Sequence, residues 1–197
     1  MFKVYDDFLD RYFVNYVEET ILNTDFNWFK PTQGFKSVNK QKDIKQGSQV
    51  QNTFIAADKK KKQYGKVITP IKKNLLLVED LVACITNKMK KDWGDDSDVY
   101  HIIRAKANLQ LSNGLVSDLD HHNGKHKDFP DEHIVAIYYI HDCDGDTFLW
   151  EGDTLHRITP KKGRVLVFDG HEHWHASSCP RKSDYRAILN INLHMLL

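Results

Sequence analysis

The run Ile134-Val135-Ala136-Ile137-Tyr138-Tyr139-Ile140 leads into the turn Asp142-Cys143-Asp144-Gly145-Asp146-Thr147, and the last long run of the chain is Tyr185-Arg186-Ala187-Ile188-Leu189-Asn190-Ile191-Asn192-Leu193. Between them lie shorter runs at Thr147 to Glu151, Thr154 to Ile158, Arg164 to Phe168 and His173 to Ser177. Short apolar or alternating runs, punctuated by Gly, Pro and Asp, are strand signals, and many in succession indicate a β-sandwich or barrel. Working outward, Val99 to Leu111 reads as a long strand with Ile103, Ala105, Ala107, Leu109 and Leu111 on one face, and Gln49 to Ala57 as a further strand. Upstream the period is helical. Phe8, Leu9, Tyr12, Phe13, Tyr16, Val17 and Ile21 form one stripe, with Asp6 or Asp7 as the expected N-cap. Leu77, Val78, Leu81, Val82, Ile85 and Met89 form another over Lys72 to Lys91, which Trp93-Gly94-Asp95-Asp96 ends. Helices first and strands after predict a mainly β, α+β fold of helix-supported jelly-roll type.

At 197 residues the expectation is one domain, with helical support over 1–97 and a jelly-roll core over 98–197. The net charge of +1 gives no global electrostatic case for nucleic acid or anionic membrane. Cys84, Cys143 and Cys179 are widely spaced and form no C-x-x-C pair, which argues against a disulfide framework or a structural zinc site. No apolar run approaches a membrane span, and the first residues lack a signal-peptide pattern, so a cytoplasmic, soluble protein is the expectation. Lys59-Lys60-Lys61-Lys62 is a short basic run without arginine or interleaved aromatics and reads as a solvated loop tip.

The chemistry-bearing residues sit in the same last third. On extended backbone His126 and Asp128 point to one face, so an imidazole and a carboxylate can hold one metal ion. A second His from a distant strand completes a two-His, one-carboxylate set, the arrangement of non-haem Fe(II) oxygenases, which leaves open positions on the metal. His171, His173 and His175 alternate, and strand parity cannot choose among them. Small residues after His175 and its spacing to Arg186 favour His175, with His173 as the fallback and the others as rim residues. In the last strand Arg186, Ile188, Asn190 and Asn192 share one face, and Ala187, Leu189, Ile191 and Leu193 the apolar other. A buried Arg needs an anion, and a dicarboxylate at the metal would supply it with bidentate geometry.

The ordered set His126-Lys127-Asp128, Ile137-Tyr138-Tyr139-Ile140-His141-Asp142-Cys143-Asp144-Gly145-Asp146-Thr147, Ile158-Thr159-Pro160-Lys161-Lys162-Gly163-Arg164-Val165-Leu166-Val167-Phe168-Asp169-Gly170, His175-Ala176-Ser177 and Arg186 resembles the 2-oxoglutarate/Fe(II)-dependent dioxygenases. It is most similar to their prolyl 4-hydroxylase-like branch, in particular small single-domain members of the kind seen in bacteriophages. The resemblance spans about residues 98 to 197, with weaker echoes in Tyr5-Asp6-Asp7-Phe8-Leu9 and Phe26-Asn27-Trp28. It implies a double-stranded β-helix, Fe(II) held by His126, Asp128 and His175, and the distal carboxylate of 2-oxoglutarate held by Arg186 with Tyr139. Asn108 and Asn192 are candidates for the other carboxylate. His141-Asp142-Cys143 stands where Asn-Asp-Ser is more usual.

The implied reaction consumes O2 and 2-oxoglutarate, with ascorbate as a supporting reductant. It yields succinate and CO2 and hydroxylates a C–H bond of a peptide, protein or small molecule, peptidyl proline being the leading substrate. The competing readings are a non-catalytic cupin-like metal-binding module and an oxygenase that modifies nucleic acid, which the near-neutral charge disfavours. The loops expected to choose the substrate lie at 32–48, 58–74 and 112–125.

Overall fold

The computed structural model describes residues 1–29, 49–58, 63–69, 71–93, 100–112 and 122–195. The lysine run at 59–62, the loop at 32–48, the turn at 94–96 and most of the loop at 112–125 lie outside these residues.

Two antiparallel sheets carry the fold. The strands are β1 (Phe2–Tyr5), β2 (Gln49–Asp58), β3 (Gln63–Val67), β4 (Tyr100–Leu111), β5 (Ile134–Tyr139), β6 (Thr147–Glu151), β7 (Thr154–Ile158), β8 (Val165–Asp169), β9 (Trp174–Ser177) and β10 (Tyr185–Met195). The larger sheet runs β1-β8-β5-β10-β4-β2-β3 and the smaller β7-β6-β9. The helices are α1 (Arg11–Ile21) and α2 (Lys72–Trp93).

Strand alternation sorts the side chains of the large sheet into two layers. Ala136 and Tyr138 of β5, Val165 and Val167 of β8, and Ala187, Leu189, Ile191 and Leu193 of β10 face the helices. There they meet Val17 and Ile21 of α1 and Leu77, Val78, Leu81 and Ile85 of α2. The alternate residues Val135, Ile137, Tyr139, Leu166, Phe168 and Ile188 face Leu149 and Ile158 of the small sheet. One layer is therefore helix on sheet and the other sheet on sheet, as the jelly-roll reading requires.

The start of α1 differs from the sequence reading, and two short strands, β1 and β3, add to it. The N-cap of α1 is Asp10, whose carboxylate accepts from Tyr12 N at 2.8 Å and Phe13 N at 3.4 Å. Asp6 instead receives the Arg164 guanidinium as a fork, at 2.7 and 2.8 Å, and Asp7 turns the chain at φ 53° and pairs with Lys161. The reason lies in β1, whose four residues alternate charge and bulk too briefly to register as a strand. They pair with β8 in the register Phe2↔Phe168 to Tyr5↔Val165 and so delay the helix. The short β3, which pairs with the far end of β2, escaped the sequence reading for the same reason.

Candidate metal centre

His126 lies outside any strand, yet it is joined to the small sheet by one isolated bridge to His175. His126 N donates to His175 O at 2.9 Å, and His175 N donates back to His126 O at 3.0 Å. Its neighbours reinforce this one rung. The Lys125 ammonium lies 4.6 Å from the Trp150 ring centroid and that of Lys127 lies 5.5 Å from the Trp174 centroid. Trp150 and Trp174 are cross-strand partners on β6 and β9. The cations flanking His126 thus cover an aromatic pair while His126 itself turns inward.

His126, Asp128 and His175 come together with one ligand atom from each lying within 4.8 Å of the others. Asp128 and His175 are buried. His175 Nε2 stands 3.9 Å from Asp128 Oδ2. His126 Nδ1 lies 3.0 Å from the Gly124 carbonyl, a contact that places a ring proton on Nδ1. Burial, opposed by Asp128 and aided by His126 and Arg104, brings the His175 imidazole down to about 3, so it is a neutral donor. Burial would raise the Asp128 carboxyl, but Arg104, then His175, Lys106 and His126, outweigh it and hold it well below the usual carboxylate range. Two imidazoles and one carboxylate are a donor set that fits a divalent first-row cation.

His173 and His171 are not part of this group. The strand begins only at Trp174, because Asp169 makes a turn before it. The Asp169 carboxylate accepts from His171 N and Glu172 N, and the Asp169 carbonyl accepts from His173 N at 3.1 Å. Alternation therefore does not extend to either residue. His171 is exposed at the rim, whereas His173 is buried against Phe2 and Phe168, with Nδ1 2.9 Å from the Asp169 carbonyl. The expectation that both are rim residues fails for His173.

Arg186 occupies the inner face of β10 and is 3% exposed. Nε donates to Gly145 O at 2.7 Å and Nη2 to Thr147 Oγ1 at 2.8 Å. Gly145 makes room for it, since a Cβ there would stand 2.8 Å from Arg186 Cδ and 3.1 Å from the Pro180 and Ser178 backbone. Tyr139 donates its hydroxyl to the same Thr147 Oγ1 at 2.8 Å. Burial pushes this phenol up to about 12, against Arg186 and Thr147, so it remains a proton donor. Thr147 lines the cavity that also holds Arg186, His126 and His175, and Tyr139 stands behind it. Thr147, Gly145 and Arg104 were missed in the sequence. The alternation of β4 carried a signal for Arg104, because an apolar face of odd-numbered residues leaves Arg104, Lys106, Asn108 and Gln110 on the other.

The open side of the cavity is lined by Lys106, Asn108 and Gln110 of β4, Gln49 of β2 and Ile188 and Asn190 of β10. The Oδ1 atoms of Asn108 and Asn190 are buried without a protein donor, so this wall offers acceptors to a bound molecule. Asn192 does not join them. Its amide donates to Asp128 Oδ2 at 2.9 Å and its carbonyl accepts from Arg104 Nε at 2.9 Å. It supports Asp128, and of the two amides only Asn108 faces the cavity.

No protein-family model and no curated protein matches the chain. Solved structures do. An oxidoreductase of the 2OG-Fe(II) oxygenase family from Burkholderia pseudomallei superposes with a TM-score of 0.71 at 16% identity, over 98% of this chain and 84% of that one. This chain has the 2-oxoglutarate/Fe(II) oxygenase fold. A prolyl hydroxylase from Trichoplax adhaerens, in complex with a hypoxia inducible factor peptide fragment, aligns with a TM-score of 0.65 at 15% identity, over 98% and 83% of the two chains. A prolyl-4-hydroxylase from Pseudomonas putida aligns at 0.61 and 12%, over 99% and 92%. Among the described residues no helix is long and apolar enough to cross a membrane.

The His175 environment sets a pH dependence. As pH falls from the ordinary imidazole value of 6.5 toward about 3, the unfolded chain takes up a proton that the folded chain refuses. Folding stability therefore falls with falling pH through that window. The depressed Asp128 carboxyl acts in the same sense at lower pH, its stabilisation being lost as pH drops through its folded value. The thermal midpoint of the metal-free protein should decline from about pH 7 to about pH 5. A His175→Gln variant should lose part of that slope, and an equal slope in the variant would contradict the assignment.

Proposed function

We propose that the protein is a 2-oxoglutarate- and Fe(II)-dependent dioxygenase that hydroxylates a C–H bond. The observation that carries this reading is the cavity itself. His126 and His175, which cluster with Asp128, line it, and so does a buried cation, Arg186. A 2-oxoglutarate molecule has the matching ends: a chelating 1-carboxylate with its 2-oxo group, and a distal carboxylate. Fe(II), 2-oxoglutarate and O2 bound there would supply oxidative decarboxylation to succinate and the oxidation of a neighbouring C–H bond.

The protein's own part is positioning. His126 and His175 present imidazole nitrogens, and Asp128 presents a carboxylate fixed from behind. Arg186, oriented by Gly145 O and Thr147, would take the distal carboxylate through the donors it does not spend on the protein. Tyr139 keeps Thr147 turned toward Arg186. Ile137 and Ile188 give the cavity apolar flanks that limit water near the reacting atoms.

Peptidyl proline is the first substrate to test, supported by the prolyl hydroxylases among the structural neighbours. The assay is succinate formation from 2-oxoglutarate under Fe(II), ascorbate and air, with proline-containing peptides. The expected result is succinate coupled one-to-one to a hydroxylated peptide. Metal-loaded protein that forms no succinate with any candidate substrate would favour a metal-binding module without turnover.

A further inference from the structure

The carboxylate of Asp128 is enclosed by one cation and two amide donors of the large sheet. Arg104 Nη2 lies 2.5 Å from Oδ1, Asn192 Nδ2 lies 2.9 Å from Oδ2, and Asn190 Nδ2 lies 3.2 Å from Oδ2. Arg104 and Asn192 are cross-strand partners on β4 and β10, and Arg104 Nε donates to Asn192 Oδ1 at 2.9 Å. The same guanidinium stacks over the Phe129 ring at 4.8 Å, against the residue that follows Asp128. Asp128, Asn190 and Asn192 are buried, and the Arg104 side chain is 16% exposed. A full cation is thus locked onto one metal ligand by strand pairing, a bridging amide and a ring.

We propose that Arg104 is the built-in counter-ion of this centre, neutralising and orienting Asp128 while no metal is bound and ceding that role to the divalent cation when one binds. A buried carboxylate without a cation is costly, so a protein that folds before it meets metal needs a substitute charge. The substitute then has a price at loading, because the incoming cation is placed near an existing one. Arg104 therefore stabilises the metal-free state more than the loaded state and restrains metal affinity. Arg104 is a positioning residue, acting through Asp128 rather than on substrate. The inference rests on the metal-centre reading above.

The test compares wild type with Arg104→Met, using Mn(II) as the probe. The metal-free variant should lose more thermal stability than the Mn(II)-saturated variant, so the rise in midpoint on adding Mn(II) should be larger than in wild type. By linkage, Mn(II) should bind the variant more tightly, by about tenfold. A merely structural arginine predicts equal losses in both states, and an unchanged or weakened Mn(II) affinity would overturn the proposal. If Arg104→Met does not fold without metal, the double variant Arg104→Met/Asp128→Asn carries the test. Removing the anion removes the need for the cation, so the double variant should fold; failure of that rescue would overturn the pairing. This arm contains no metal. A wild type that ignores Mn(II) would therefore sink the metal-centre reading while the rescue still judged the Arg104–Asp128 pair on its own.

Discussion

Arg186→Ala should raise the 2-oxoglutarate concentration needed for half-maximal turnover by about two orders of magnitude, since truncating one partner of a buried hydrogen-bonded charge pair costs about 2–5 kcal/mol and each 1.4 kcal/mol is tenfold. The residue is 3% exposed and already aimed by Gly145 O and Thr147 Oγ1, so little ordering remains to be done when an anion arrives. Arg186→Lys keeps the charge but not the planar fork, and should fall between wild type and Ala. Calorimetric titration of 2-oxoglutarate into Mn(II)-loaded protein measures the same loss without relying on turnover. An unchanged affinity would refute the assigned role, even if the variant were less stable.

The second large effect is on the metal. His126→Ala and His175→Ala should each weaken divalent-cation binding by more than about 100-fold, because even residues that only support a metal ligand commonly cost 10–100-fold when removed. The two substitutions fail for different reasons. His126 sits on a single backbone bridge, so its loss removes a donor and leaves the sheet intact. His175 is a buried member of β9, and its loss also opens space beside Phe168, whose ring centroid is 5.1 Å away. His173→Ala is the control. Its Nδ1 contacts the Asp169 carbonyl rather than the metal group, so Mn(II) affinity should remain at the wild-type value.

Much of this arrangement was legible in the sequence because β-strands repeat every two residues. The parity of Tyr185 to Leu193 separates Ala187, Leu189, Ile191 and Leu193, which pack on the helices, from Arg186, Ile188 and Asn190, which line the cavity, and Asn192, which holds Asp128. The stripes of α1 and α2 were equally plain. Parity misled where no strand exists. His171 and His173 belong to a turn built by Asp169, and no alternation rule describes a turn. The roles of Thr147 and Gly145 were hidden because they come from contact across about forty residues of chain. A threonine opening a strand and a glycine in a turn look ordinary until Arg186 lies against them. Asn192, like Asn108 only a candidate for the other carboxylate, is fixed to Asp128 by the register that pairs it with Arg104. Only three-dimensional pairing distinguishes an amide that faces the cavity from one that holds Asp128.

In the proposed function one cavity holds a divalent metal at His126, Asp128 and His175 and a dicarboxylate between that metal and Arg186. The most direct measurement is an anaerobic titration of 2-oxoglutarate into the protein with Fe(II), followed by visible absorption, alongside Fe(II) alone and the His126→Ala variant. The predicted result is a charge-transfer band that saturates at one 2-oxoglutarate per chain, requires Fe(II), and is absent from the variant. A wild-type protein that binds Fe(II) but develops no band at saturating 2-oxoglutarate, or a variant that develops the same band, would contradict it.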